Sequence, residues 1–319
     1  MCAVINAFKA GASENPARSR CSLCPRGCRA DRSKGERGYC GQSEEIYAAR
    51  AALHMWEEPC ISGSRGSGTV FFSGCPLRCV YCQNHSIALS RVGMKIDYPR
   101  LSEIFTELEE QGANNINLVT PTHFVPQIIK ALVLARADGL SIPVVYNTGS
   151  YENAETIKML EGHVQVYLPD FKYFDSGIAA RYSNAPDYFK VAEAALREMV
   201  RQQGKPLFAE KEGATEAGIM LRGVIVRHLL LPGALEDSKR VIKYLYETYG
   251  DSIYISIMNQ YTPVAELEKY PELNRRVTAE EYEELVDYAI ELGVENGFIQ
   301  EGETAEESFI PEFDMKGIV

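Results

Sequence analysis

Three cysteines with the spacing Cys-x3-Cys-x2-Cys, at Cys75, Cys79 and Cys82, constrain this chain more than any other feature. They form a loop directly after the short apolar run Thr69–Ser73, whose β-branched and aromatic residues predict a buried strand. Cysteine thiolates are the usual ligands of iron–sulfur clusters, and three of them leave one iron of a four-iron cluster without a protein ligand. An open metal position is typical of catalytic sites. The alternatives are an incomplete zinc site and cysteines used only for packing.

Short apolar runs separated by segments with helical spacing predict a sheet of parallel strands. The runs are Thr69–Ser73, Asn115–Val119, Ile142–Asn147, Val164–Leu168, Ile219–Val226 and Ser252–Ile257. Strands that alternate with helices and are joined right-handedly make a barrel or a part of one. The predicted fold class is therefore α/β, a partial (β/α)6 barrel that follows a small cysteine-rich N-terminal segment. A doubly wound open sheet is the structural alternative.

This pattern divides the chain into three parts. They are a cysteine-rich metal-binding segment (1–66), the barrel core (67–262) and a C-terminal helical extension (263–319) that packs on the barrel. In the extension, Thr278 and Glu281 have the spacing of a capping box, which predicts that a helix begins there. The acidic tail from residue 301 is expected to pack on the body through its apolar residues, Phe309, Ile310 and Phe313.

The cysteine loop, with Tyr81 directly before its last cysteine, resembles the signature of the radical S-adenosylmethionine (SAM) enzymes. The resemblance implies a [4Fe–4S] cluster on Cys75, Cys79 and Cys82, with SAM chelating the fourth iron through its amino and carboxylate groups. One-electron reduction would then cleave SAM to methionine and a 5′-deoxyadenosyl radical that abstracts hydrogen from a substrate. Tyr81 is expected to lie near the adenine.

Within that superfamily, nearly the whole chain resembles the activating enzymes of glycyl radical enzymes, in particular pyruvate formate-lyase activating-enzyme homologues. Those enzymes carry a Gly-Gly-Glu segment after the second strand, which contacts the SAM amino group. Here Thr120, Thr122 and His123 stand in that place. The two threonine hydroxyls, or backbone carbonyls, are expected to substitute for the missing glutamate. His123 is either a further contact to SAM or a structural hydrogen-bonding residue.

The ends of the later strands carry polar residues that the same resemblance assigns to SAM. Asn147 and Thr148 follow the third strand, where the activating enzymes have an Asp-Thr-Asn-Gly-like turn. Asp170 and Lys172 match an Asp-x-Lys element after the fourth strand. A lysine there can pair with the SAM carboxylate, unless the two residues form a solvated surface pair. His228, at the end of the fifth strand, is a candidate for the ribose or the methionine part of SAM.

A second cysteine cluster lies near the N-terminus, with the spacing Cys-x2-Cys-x3-Cys-x11-Cys. Its members are Cys21, Cys24, Cys28 and Cys40. Four thiols form a closed ligand set, suited to tetrahedral Zn2+ or to a four-iron cluster with no open iron. The spacing does not decide the metal, and four buried free thiols are the remaining alternative. The resemblance of Cys24-Pro25 to ferredoxin-like segments, together with the catalytic cluster's need for an electron route, favours an auxiliary [4Fe–4S] over zinc.

The charge balance limits the partners of this chain. Its 319 residues include 33 basic and 44 acidic side chains, a net charge of −11, which disfavours a sequence-independent grip on nucleic acid. No apolar run approaches the roughly 20 residues that cross a bilayer, and the first residues lack the features of a signal peptide. The expected location is the cytoplasm, with neither nucleic acid nor membrane as a partner. Cysteines in that reducing compartment are metal ligands more often than disulfides.

Three functions are compatible with these features. The first is a radical SAM enzyme whose target is a glycyl residue of a partner glycyl radical enzyme. The second keeps this chemistry and acts on a small molecule or a peptide. The third is a non-catalytic iron–sulfur electron carrier, which the open three-cysteine site disfavours because a carrier has no use for an unliganded iron. An electron donor of flavodoxin or ferredoxin type is the partner expected for the first two.

Overall fold

The structure is a computed structural model that describes residues 20–210, 218–263, 266–300 and 311–319. Its strands are β1 (Ile46–His54), β2 (Ser67–Phe72), β3 (Met94–Ile96), β4 (Ile116–Val119), β5 (Val144–Thr148), β6 (Val166–Pro169), β7 (Leu207–Phe208), β8 (Met220–Leu229), β9 (Tyr254–Met258) and β10 (Gly297–Ile299). Its α-helices are α1 (Pro59–Ser62), α2 (His85–Ala88), α3 (Tyr98–Glu110), α4 (Val125–Ala137), α5 (Ala154–Lys158), α6 (Ser176–Ser183), α7 (Tyr188–Gln203), α8 (Leu235–Tyr249) and α9 (Ala279–Leu292).

The six apolar runs of the sequence all form strands of one mixed sheet. Its order is β10-β9-β8-β6-β5-β4-β2-β1-β3, with β7 paired to β8. The pairs from β2 through β4, β5, β6, β8 and β9 to β10 are parallel, whereas β1, β3 and β7 pair antiparallel. The parallel strands follow one another in chain order without a reversal, which excludes the doubly wound alternative. The sheet does not close on itself, so the predicted partial α/β barrel is confirmed.

The helices on the outer face follow the amphipathic pattern of the sequence. In α3, Leu101, Ile104, Phe105 and Leu108 are buried, as their helical spacing predicts. The capping box before α9 is also confirmed. The Glu281 N–H donates to the Thr278 hydroxyl at 3.2 Å, and the Thr278 N–H donates to the Glu281 carboxylate at 3.0 Å. This reciprocal pair satisfies two amide groups that would otherwise lack partners at the start of the helix.

Four described strands, β1, β3, β7 and β10, lie outside the predicted runs, and two of them extend the parallel run at its ends. β1 precedes the predicted core and pairs with β2, and β10 adds a further parallel strand beside β9. The sheet therefore draws strands from all three predicted parts of the chain, and the division at 66 and 262 stays a prediction. Within the described ranges, none of the helices has the length and apolar composition that a bilayer crossing demands.

The short helix α1 fills one end of the barrel interior. Cys60 and Ile61 are fully buried there and pack against inward-facing residues of three parallel strands, Val145, Val166, Leu168 and Ile225. The residues directly before this apolar plug, Glu57 and Glu58, face the remaining interior space of the barrel. In the C-terminal tail, Phe313 packs edge-on against Phe71 with ring centroids 5.4 Å apart, whereas Phe309 and Ile310 lie outside the described residues.

Candidate functional site

The three cysteines of the central loop line one cavity of about 230 Å3 inside the barrel. The loop leaves β2 at its carboxyl end, the end at which barrel enzymes place their chemistry. Most of the residues that the sequence assigned to a site face the same space. They are Cys75, Cys79, Cys82, Tyr81, Thr120, Asn147, Thr148, Asp170 and Lys172. Residues distant in sequence are thus brought together because parallel strands present their carboxyl ends at one edge.

Two of the thiol sulfurs already accept hydrogen bonds. The Ser183 hydroxyl donates to Cys79 Sγ at 2.9 Å, and the Leu77 N–H donates to Cys75 Sγ at 3.4 Å. Donors directed at sulfur suit thiolate ligands, whose potential depends on such bonds. Burial and the neighbouring Cys79 raise the pKa of the Cys75 thiol to about 11, so metal binding here would release protons. The surroundings of the three sulfurs therefore fit an iron–sulfur cluster.

Tyr81 is fixed by other tyrosines. Its hydroxyl shares a hydrogen bond of 2.7 Å with the hydroxyl of Tyr173, which in turn lies 2.7 Å from the Ser183 hydroxyl. Its ring packs edge-on against Tyr182 and Tyr261. The chain of hydroxyl groups continues to the Cys79 sulfur, so the tyrosine and the cysteine loop are held by one network.

Arg227 is the centre of an ionic network in the cavity wall. Its Nε donates to Asp170 at 2.8 Å, Nη1 donates to Glu57 at 2.9 Å and Nη2 donates to the Asn147 side-chain oxygen at 2.7 Å. Lys172 Nζ donates to the other carboxylate oxygen of Asp170 at 2.7 Å. Burial alone would raise the pKa of Asp170, but Arg227 and Lys172 outweigh it and hold that pKa below its usual value. The pair of Asp170 and Lys172 is therefore part of an internal network and not a solvated surface pair.

Thr122 and His228 are absent from the cavity lining, among the residues described. Thr122 is fully buried and donates to Glu152, while His228 has its Nδ1 2.7 Å from the Phe171 carbonyl oxygen. Their assignment to SAM stays a prediction. His123 is also buried, with Nε2 2.7 Å from the Ser73 carbonyl oxygen, and burial lowers its pKa to about 3. This position matches the structural alternative for His123.

Glu152 connects two of the predicted SAM threonines behind the cavity wall. Its Oε1 accepts hydrogen bonds from Thr148 at 2.5 Å and from Thr122 at 2.6 Å, with the Tyr146 hydroxyl at 3.3 Å. Burial raises the pKa of this carboxyl to about 7, although the three hydroxyl donors oppose the shift. Because Thr148 donates its hydroxyl hydrogen to Glu152, the hydroxyl can present only lone pairs to a ligand in the cavity.

The N-terminal cysteines lie in a segment that docks on the barrel. Cys28 Sγ and Cys40 Sγ both lie beside Gly38, where an added Cβ would come within 2.9 and 3.6 Å of them. Burial raises the pKa of the Cys24 thiol to about 12, and nearby Cys40 and Cys21 contribute to that rise. In the described part of the chain, no group of three or more His, Cys, Asp or Glu side chains, the cysteines of both loops included, has the arrangement of a metal-ion site.

The residues of the cavity wall that precede the central loop were not predicted from the sequence. Glu57 and Glu58 both line the cavity, and so do His54 and the largely exposed Trp56. Two adjacent acidic residues directly before a buried apolar stretch were the available signal. Their importance depends on where α1 places them, which no local pattern reveals.

Comparison with known proteins agrees with this geometry. Residues 69–208 match the family model of the Radical SAM superfamily, and they include the strands of the parallel run from β2 to β6. MJ0674, an uncharacterized protein of Methanocaldococcus jannaschii, is 29% identical over 277 residues, which cover 84% of this chain and 74% of that protein.

Solved structures resemble the chain at low sequence identity. SuiB of Streptococcus suis bound to the precursor peptide SuiA has a TM-score of 0.49 and 12% identity, covering 72% of this chain and 47% of that one. Methylornithine synthase (PylB) also has a TM-score of 0.49 and 12% identity, covering 76% of this chain and 68% of that one. The chain thus spans about half of the length of SuiB.

Proposed function

We propose that this protein, whose residues 69–208 match the family model of the Radical SAM superfamily, is an enzyme that cleaves SAM reductively and oxidises a substrate held in the barrel cavity. When bound, a [4Fe–4S] cluster and SAM supply a 5′-deoxyadenosyl radical that takes a hydrogen atom from the substrate. Cys75, Cys79 and Cys82 would hold the cluster. The observation that carries the proposal is that these three thiols face one cavity together with the polar ends of four parallel strands.

The wall residues have separate tasks in this proposal. Lys172 places a positive charge beside the cysteines and suits the SAM carboxylate. Thr148 presents lone pairs and suits a donor group such as the SAM amino group, a contact for which Thr120 is the second candidate. Asn147 is held by Arg227 and keeps its side-chain amide N–H groups for Glu57 and for a ligand.

Replacement of one cysteine ligand tests the function. Anaerobically reconstituted Cys79→Ala should form no 5′-deoxyadenosine with SAM and a strong reductant, and its iron and sulfide content should fall by about one four-iron cluster. Cys60→Ala, which removes a buried thiol outside both cysteine clusters, is the matched control. If Cys79→Ala still cleaves SAM at the rate of the control, the assignment is wrong.

The target of the radical has two candidates. A glycyl residue of a partner glycyl radical enzyme agrees with the resemblance of the sequence to activating enzymes. A small molecule or a peptide side chain is favoured by Glu57 and Glu58, because a glycine has no side chain for an acidic wall to bind. Deuterium-labelled targets decide between them, since the true target transfers its label to 5′-deoxyadenosine. A flavodoxin or ferredoxin is the electron donor that we propose for either target.

We also propose that Cys21, Cys24, Cys28 and Cys40 bind a second metal centre, an auxiliary [4Fe–4S] or Zn2+. The proposal is supported by the four-thiol spacing and by the proximity of the Cys28 and Cys40 sulfurs at Gly38. Iron, sulfide and zinc analysis of Cys79→Ala separates the two metals, because that variant keeps all four N-terminal cysteines and lacks one of the three cysteines of the cavity site. Neither metal above background would refute the second site.

A further inference from the structure

The polar wall of the cavity begins where the α1 plug ends. Glu58 is the residue directly before α1, and Glu57 precedes it. Both line the cavity, at the far end of the same space that the three cysteines enter. Glu57 is embedded in side chains of three strands, because it accepts from Asn117 at 2.9 Å, from Asn147 at 3.4 Å and from Arg227.

The cations of this wall already form ion pairs with acidic residues of the wall itself. Lys172 and Arg227 are the lysine and arginine residues that line the cavity in the described part of the chain. Lys172 is bound to Asp170, and the three guanidinium nitrogens of Arg227 serve Asp170, Glu57 and Asn147. The charges of Lys172 and Arg227 therefore balance those of Asp170 and Glu57. Arg227 also attracts Glu58 through space, but Glu58 is the acidic group of this wall that forms no ion pair among the described residues.

Glu58 itself has an unsatisfied oxygen. Its side chain is 92% buried, and within the described ranges its Oε2 has no hydrogen-bond partner. No lysine, arginine or histidine nitrogen of those ranges lies within 4 Å of it. A buried carboxylate oxygen without a partner costs free energy, so such a group in a cavity wall indicates a ligand that completes it. Burial raises the pKa of Glu58, and the attraction of Arg227 does not outweigh it.

We propose that Glu58 binds the protonated amine or guanidinium group of the substrate, so that the enzyme acts on a cationic small molecule or on a basic side chain of a peptide. This inference rests on the proposed function, since it identifies the substrate class of the same cavity. An ammonium group supplies up to three donors and one positive charge. It would satisfy Oε2 and bring the net charge of the wall to zero.

The test measures binding without turnover. The reconstituted protein is saturated with SAM in the absence of a reductant and titrated calorimetrically at 0.3 M salt with 1,5-diaminopentane or with 1,5-pentanediol. We expect the diamine to bind at least tenfold more tightly than the diol. Equal affinities, or no binding of the diamine, would overturn the proposal with the wild-type protein alone.

Substitution of Glu58 tests whether this residue causes the preference for the diamine. Glu58→Gln keeps the volume of the side chain, and Glu58 makes no side-chain cap to α1, so the helix should be retained. This variant should lower the affinity for the diamine at least tenfold and leave the affinity for SAM unchanged. The control Glu283→Gln, on the exposed face of α9, should change neither affinity. Diamine binding unaffected by Glu58→Gln, or a loss of SAM binding instead, would refute the assignment. Because no SAM is cleaved, failure here is distinct from failure of 5′-deoxyadenosine formation.

Discussion

The Nε of Arg26 donates a hydrogen bond of 2.7 Å to the carbonyl oxygen of Pro76. Arg26 lies between cysteines of the N-terminal cluster, and Pro76 lies between cysteines of the cavity loop. The same guanidinium donates to the Ser183 carbonyl oxygen at 2.8 Å and covers the ring of Tyr39. The guanidinium of Arg78, in the cavity loop, also lies over the ring of Tyr39. Reciprocal arginines thus join the two cysteine loops.

Arg26→Ala should loosen the cavity loop. The variant loses several charge-assisted bonds to backbone carbonyls, so we expect the free energy of unfolding to fall by about 2 kcal/mol. The [4Fe–4S] content of the cavity site should fall as well, measured as iron and sulfide per chain after reconstitution. Arg37→Ala, an exposed arginine of the same segment, is the control and should match wild type. Equal stability of the two variants would contradict the structural link.

Ser183→Ala should change the electronic properties of the cluster more than the fold. Loss of the hydroxyl donor to Cys79 Sγ removes a hydrogen bond that stabilises the reduced, more negative state. We therefore expect a more negative midpoint potential, measured by redox titration with EPR detection, and a stability loss of about 1 kcal/mol or less. The exposed Ser64→Ala serves as control. An unchanged potential would show that the bond does not persist in the loaded protein.

Replacement of Arg227 should destabilise the folded protein. Arg227→Met leaves Asp170 and Glu57 buried without their principal cation, which predicts a loss of roughly 3–5 kcal/mol in the free energy of unfolding. Arg222→Met, on an exposed position of the same strand, should change it by less than about 0.5 kcal/mol. Urea unfolding followed by circular dichroism measures both. A small loss for Arg227→Met would mean that the network is replaceable by apolar packing.

Glu152 should make the stability depend on pH. Its pKa is about 7 in the folded protein against a usual 4.5, so the folded state holds its proton more tightly than the unfolded state. The stabilising contribution is therefore complete below about pH 4.5 and is lost as the pH rises to about 7. Between pH 5.5 and 8 we expect a loss of about 2 kcal/mol that Glu152→Gln lacks.

The measurement is the difference between wild type and Glu152→Gln in urea unfolding at the two pH values, which cancels the other titrating groups. Glu155→Gln, an exposed glutamate at the start of α5, is the control. Parallel pH profiles for all three proteins would show that Glu152 titrates normally.

The sequence predicted the strands that are buried on both faces. The strand β5 is buried at every position, and the apolar start of such a run predicts a buried parallel strand without an alternating pattern. β1 was not predicted as a strand, because its alanine-rich run has a high helix propensity. Pairing with β2 overrides that propensity. β10 is three residues long, too short to leave a pattern.

The site was predictable to the extent that strand order determines it. Cys75, Asn147, Asp170 and Lys172 all follow strands of the parallel run, so their meeting at one edge follows from the topology. The directions of individual side chains do not follow from it. Thr122 turns away to Glu152, and Arg227 rather than its neighbour His228 enters the cavity. Such choices depend on alternation within a strand and on partners that are distant in sequence.

The acidic wall at Glu57 and Glu58 lies outside residues 69–208, the stretch that carries the cysteine loop and matches the superfamily. In the function proposed here, the contiguous tetrapeptide between β1 and α1 meets the substrate, while another stretch holds the cofactor. The two sets of residues lie in separate parts of the sequence. We therefore expect that exchange of residues 55–58 between relatives changes the substrate preference and leaves 5′-deoxyadenosine formation in place.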